Sequence, residues 1–152
     1  MSNRNVSRFV FAIAGLCLLG HILGCSHSTS PSDNTSAARG VLKVMGVEYG
    51  NFAAEHGEKP PSNKEELVDF LETRKDRIRG LNSVDQLFTS PRDNQPLVIF
   101  YGSEMPPADE SGYPVVAHEA VGESGRLLAT NTRGGVTEIS QGEIPSYFGS
   151  TQ

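Results

Sequence analysis

The sequence predicts an α+β domain, with helices first and a small antiparallel sheet of about four strands after them. Three observations carry the prediction. Apolar residues recur at spacings of three and four between residues 36 and 56. A capping signal then opens a second short amphipathic run. Beyond a turn at residues 90–94, four short β-rich runs alternate with glycine-containing turns.

Before the domain, the chain opens on a segment of another kind. Arg4 and Arg8 precede an almost wholly apolar run over residues 9–23, interrupted by Gly15, Gly20 and His21. A basic start followed by an apolar stretch is the pattern of an export signal. The stretch is shorter than the roughly 20 residues a membrane-spanning helix needs. It ends at Ile22-Leu23-Gly24-Cys25.

Those four residues resemble the lipobox of bacterial lipoproteins: an aliphatic residue at −3, a small one at −1 and an obligatory cysteine. The resemblance implies that residues 1–24 are a signal peptide, that the signal peptidase recognises Ile22, Leu23 and Gly24, and that it cleaves before Cys25. It further implies a diacylglycerol thioether on the Cys25 sulfur and acylation of the new amino group by a palmitate-type chain. The mature chain would then contact a membrane through this lipid, on the outer side of the cytoplasmic boundary. Ser26 after the cysteine is compatible with outer-membrane sorting, so the cell envelope, and the outer membrane before the inner, is the expected location.

Composition agrees with that address. Cys17 lies inside the signal and Cys25 carries lipid, so of two cysteines none remains for a disulfide, a zinc site or a nucleophile. Removing residues 1–24 takes away Arg4 and Arg8 and no acid, leaving 11 basic against 18 acidic residues and a formal net charge of −7. An acidic body of this kind disfavours nucleic acid as a partner.

The remaining elements follow in order. Residues 26–35, Ser-His-Ser-Thr-Ser-Pro-Ser-Asp-Asn-Thr, offer no apolar side chain to bury, so residues 25–35 read as lipidated cysteine plus tether and residues 36–152 as one domain. Ala38, Val41, Leu42, Met45, Tyr49, Phe52 and Ala53 mark one face of the first helix, with Gly57 as its C-cap. Gly46 and Gly50 sit four apart inside it. They reflect either tolerance of glycine or close approach of a sheet or another chain. Lys59-Pro60-Pro61 stops the helix, and Ser62-Asn63-Lys64-Glu65 reads as a capping box for a second helix with Leu67, Phe70 and Leu71 inward. Arg74, Lys75, Arg77 and Arg79 at its end complement the helix dipole.

Ser90-Pro91-Arg92-Asp93-Asn94 is turn chemistry. The β runs are residues 97–101, 114–118, 126–130 and 136–139. The last two bracket a hairpin loop, Asn131-Thr132-Arg133-Gly134-Gly135, with glycines available for positive φ. Ser140-Gln141-Gly142-Glu143 is a further capping box, ahead of a final turn that packs Ile144 and Phe148.

With this order in hand, the domain resembles the head of pilin-like proteins, particularly the major pseudopilin of type II secretion and its planctomycete relatives. The likeness rests on His56-Gly57-Glu58-Lys59-Pro60-Pro61-Ser62 with Glu65-Glu66-Leu67, on Ser90 to Pro96 leading into a strand, and on the closing hairpin from Gly125 to Ile139. Pilin-like subunits carry a prepilin cleavage site followed by Phe-Thr-Leu-x-x-Glu and a long apolar helix. A lipobox and a tether stand in their place here, so polymerisation through an N-terminal membrane helix is not implied.

Signatures of chemistry are sparse. Gly122-Glu123-Ser124-Gly125-Arg126 has arginine where a nucleophile elbow needs glycine, and it lies between two strands, so it reads as a hairpin turn. His27, His56 and His118 lack metal-ligand spacing, although His56 lies beside Glu55 and Glu58, and His118 and Glu119 point to opposite faces of a strand. No phosphate loop and no tryptophan is present. The expectation is a lipid-anchored, non-catalytic interaction or structural head without cofactor, acting on an envelope protein partner. The Gly46/Gly50 face and the sheet's edge strand are the surfaces expected to meet that partner. The alternative is a small-molecule or metal-binding lipoprotein, or a hydrolase without a readable motif, using a pocket between helix and sheet.

Overall fold

The computed structural model describes residues 31–148. The expected export signal, the Ile22-Leu23-Gly24-Cys25 box and residues 26–30 of the expected tether lie outside the described residues. Within them the chain forms three α-helices and a four-stranded antiparallel sheet, the α+β arrangement that the order of patterns predicts.

Helix α1 spans Pro31–Glu55. It starts before Ser36, so Pro31 to Thr35 of the stretch expected as tether belong to its opening turns. Proline at the first helical position loses no needed N–H, and Asp33 sits in the positive first turn. Ala38, Leu42, Met45, Tyr49, Phe52 and Ala53 are buried, with Val41 partly so. The helix stops where Gly57 takes φ 69° and the Glu58 N–H donates to the Ala53 carbonyl at 2.8 Å, closing a Schellman turn.

Helix α2 spans Lys64–Arg74. Its N-cap is Asn63, one residue beyond the Ser62 of the expected box: the Asn63 side chain accepts from Glu66 N–H, and the Glu66 carboxylate accepts from Ser62 N–H. Asn63 wins because its carbonyl oxygen reaches the third helical N–H while Glu66 closes the reciprocal bond. Leu67 and Leu71 are fully buried and Phe70 is half-buried. A 3₁₀ segment, Val84–Phe88, follows; the sequence pattern had not marked it, and it adds Val84, Leu87 and Phe88 to the core.

The sheet runs β1 Val98–Ile99, β2 Val115–His118, β3 Arg126–Asn131 and β4 Val136–Ser140, each strand antiparallel to its neighbour. Strand β1 is shorter than the apolar run over 97–101 suggests, because Leu97 N–H turns to the Phe88 carbonyl and Gly102 N–H to that of Pro61. A bulge between Val115 and Ala117 delivers both Val116 and Ala117 to the main core. Two layers result. On the inner face Leu128, Val116 and Ala117 meet α1, in a core to which α2 adds Leu67 and Leu71. On the outer face Val115, Leu127, Ala129 and Ile139 lie under Ile144 and Tyr147, around the short helix α3, Ile144–Phe148.

Both hairpins follow their turn chemistry. Ser124 and Gly125 occupy a two-residue turn with φ 52° and 74°, the type I′ geometry that suits twisted strands, so the region around Ser124 is a hairpin turn as its flanks predict. In the second, Gly134 takes φ 73°, Gly134 N–H donates to the Asn131 carbonyl and Asn131 N–H to that of Gly135. The Ser140 and Glu143 side chains form the reciprocal box expected before α3.

Candidate functional site

The polar residues that the fold brings together are not those the sequence offered as metal ligands. His56 caps α1 with its Nδ1 donating to the Phe52 carbonyl at 2.7 Å, and its ring stacks on Phe52 at 3.9 Å between centroids, with Phe70 edge-on. Its neighbour Glu55 pairs with Arg74, which also bonds Glu48 at 2.7 Å. Among the described residues no group of three His, Cys, Asp or Glu side chains is placed to hold a metal ion. Arg74 lies over the Phe70 ring as well, so this member of the basic run holds α2 against α1.

A buried carboxylate organises the opposite side. Glu119, next after β2, is fully buried and accepts hydrogen bonds from Ser90 Oγ at 2.7 Å, Arg92 Nε at 3.1 Å, Leu128 N–H at 2.8 Å and Arg92 Nη2. The Arg92 side chain is itself only 5% exposed, reaches the Arg126 carbonyl at 2.9 Å and lies near Glu138. Asp93 accepts from Gly122 N–H. The 90–94 turn is thereby pinned to the sheet. Four donors on one carboxylate satisfy a charge that burial alone would make prohibitive. The sequence showed the turn and the strand separately, and nothing in the local pattern marks Glu119 as interior.

His118 faces the outer layer and is 5% exposed, its Nδ1 donating to the Glu119 carbonyl at 2.6 Å. Burial holds its pKa below the ordinary histidine value, against the opposing pull of the Glu119 carbonyl and charge. A second polar knot lies at the far hairpin. Asn131 donates to Asp109 at 2.7 Å and accepts from Arg133 and Gly135 N–H groups, while Asp109 also accepts from Ser111 and Tyr113. Burial works to raise the Asp109 carboxyl, but the bonds from Ser111, Asn131 and Tyr113 together outweigh it and hold the group below the usual carboxylate range. Burial also pushes Tyr49 upward, where its hydroxyl donates to the Phe100 carbonyl at 2.9 Å, and burial followed by the nearby Glu65 charge pushes Tyr101 up to about 12.

The surfaces expected to face a partner are largely used internally. A methyl at Gly46 would overlap the Asn131 carbonyl and Thr130 Oγ1, and one at Gly50 the Thr132 carbonyl, so the β3–β4 hairpin lies directly on the helix backbone there. Close approach of the sheet is the reason for these two glycines. At the sheet's rims, Val136 O accepts from Arg39, Ser140 N–H donates to Glu143, and Thr89 pairs with Pro96 beside β1. No protein family, curated protein or solved structure matches the chain. Among the described residues, three concavities stand out. The first is an apolar groove of about 570 Å³ between α1 and residues 78–94; the second, of about 680 Å³, lies beside Arg133 and Tyr113, and the third, of about 540 Å³, is an acidic hollow around Asp109 and Glu143.

Proposed function

We propose that this protein is a lipid-anchored envelope lipoprotein whose pilin-head-like α+β domain serves as a non-catalytic interaction or structural module, held on a membrane by acyl chains on Cys25. The observation that carries the reading is the basic start and apolar run ending in Ile22-Leu23-Gly24-Cys25. Two or more buried chains, at about 0.8 kcal/mol per CH₂, make such an anchor stable. No helix among the described residues is long and apolar enough to cross a membrane.

The domain's polar interior supports a structural role. Among the described residues every buried side-chain nitrogen and oxygen has a hydrogen-bond partner. Arg92 bonds Glu119, Asp93 accepts from Gly122 N–H and Asn131 bonds Asp109, and that use of their donors and acceptors braces turns against the sheet. The partner is an envelope protein, met on surfaces that the hairpin leaves open.

Mass spectrometry of the N-terminal peptide from membranes, for the native chain and Cys25→Ala, tests the anchor. A peptide beginning at acylated Cys25, with membrane retention lost in Cys25→Ala, is the expected result. An unmodified peptide beginning elsewhere, or an intact Met1 to Gly24 segment, overturns it.

A further inference from the structure

Helix α1 has a third interior glycine whose surroundings differ from the other two. At Gly40 a methyl would meet nothing within 4 Å. Glycine there nevertheless costs the helix about 1 kcal/mol against alanine. Gly40 opens onto the apolar groove of about 570 Å³, whose walls include Val41, Val44, Ile78, Leu81 and Leu87. Val41, Val44, Ile78 and Leu81 are only partly buried by the fold, so an apolar occupant pressed against the bare helix at Gly40 would cover them.

We propose that this groove receives one acyl chain of the lipid on Cys25 whenever the mature chain is out of a bilayer. The inference rests on the anchor reading above. Reach argues for this occupant. Helix α1 begins at Pro31, and the backbone from Cys25 to Pro31 spans at most about 21 Å even when fully extended. Gly40 lies about 14 Å along the helix from Pro31, at about 1.5 Å per residue. The lipid is thus tied next to the groove and meets it at the high effective concentration of an intramolecular ligand. Each CH₂ gains about the same in the groove as in a bilayer. The bilayer, which covers every chain, therefore holds the lipid when present, and in water the groove shelters one chain.

The test uses the full-length lipoprotein from bacteria fed a diazirine-bearing fatty acid, transferred to detergent-free buffer, irradiated, and mapped by mass spectrometry. The expected adducts fall on peptides containing Val41, Val44, Ile78 and Leu81. They disappear in Gly40→Leu, which fills the floor of the groove, and in Leu81→Lys, which charges its wall without touching α1. An N-terminal peptide lacking the probe refutes the anchor and this proposal with it. Acylated Cys25 with adducts elsewhere, on a second copy, or unchanged in both variants overturns the groove assignment alone.

Discussion

Replacing Glu119 with leucine leaves the Arg92 guanidinium buried without its carboxylate. Removing one member of a buried pair costs about 3–5 kcal/mol, so the urea midpoint of Glu119→Leu should fall steeply. The double variant Arg92→Met/Glu119→Leu should recover most of that loss, since two apolar side chains of similar volume remove both desolvation penalties. A double variant no better than Glu119→Leu would mean that Glu119 acts mainly through Ser90 and the Leu128 N–H. His118 makes a separate prediction with a definite sign. Its folded pKa is lowered, so the unfolded chain binds the proton more readily. The stability it contributes is present above the unfolded value of 6.5 and is lost as pH falls through the folded value. The urea midpoint should therefore decline as pH falls below the unfolded value of 6.5, and decline less in His118→Asn; equal slopes would remove His118 as the cause. The strand position of both residues was legible in the sequence, but their burial was not. A glutamate after a strand is ordinarily solvated, and its burial depends on an arginine that is distant in sequence and reaches it only through the fold.

At the scale of elements the pattern was far more readable, because periodicity and turn chemistry are local. The face of α1 from Ala38 to Ala53, the last three β runs, the Ser124 turn and the box at Ser140 appear where their spacing put them, and the first β run appears in place but shortened to Val98–Ile99. The misses have physical causes: a first turn started early by Pro31, a cap moved from Ser62 to Asn63, and a 3₁₀ segment too short for periodicity to show. The glycines of α1 offer the sharpest test of packing. Gly46→Ala forces the helix from the hairpin backbone and should destabilise by about 1–3 kcal/mol. Gly40→Ala meets open space and should stabilise by up to about 1 kcal/mol. Opposite signs in thermal or chemical denaturation are expected; equal effects would show that helix propensity, and not the hairpin, governs both sites.

For the molecule as a whole, the fold class was legible and the site was not, since the class follows from the order of local patterns while the groove and the Glu119 knot are assembled from distant segments. One feature of the architecture bears on how the chain reaches its native state. The stripe on α1 that rests against the sheet is synthesised first, and the hairpin that covers Gly46 and Gly50 comes some eighty residues later. Contacts of such long sequence separation raise contact order and slow folding. The part of the helix face around Gly46 and Gly50 therefore stays uncovered until residues 126–140 have emerged. That interval is when the chain is most open to aggregation or to capture by a chaperone.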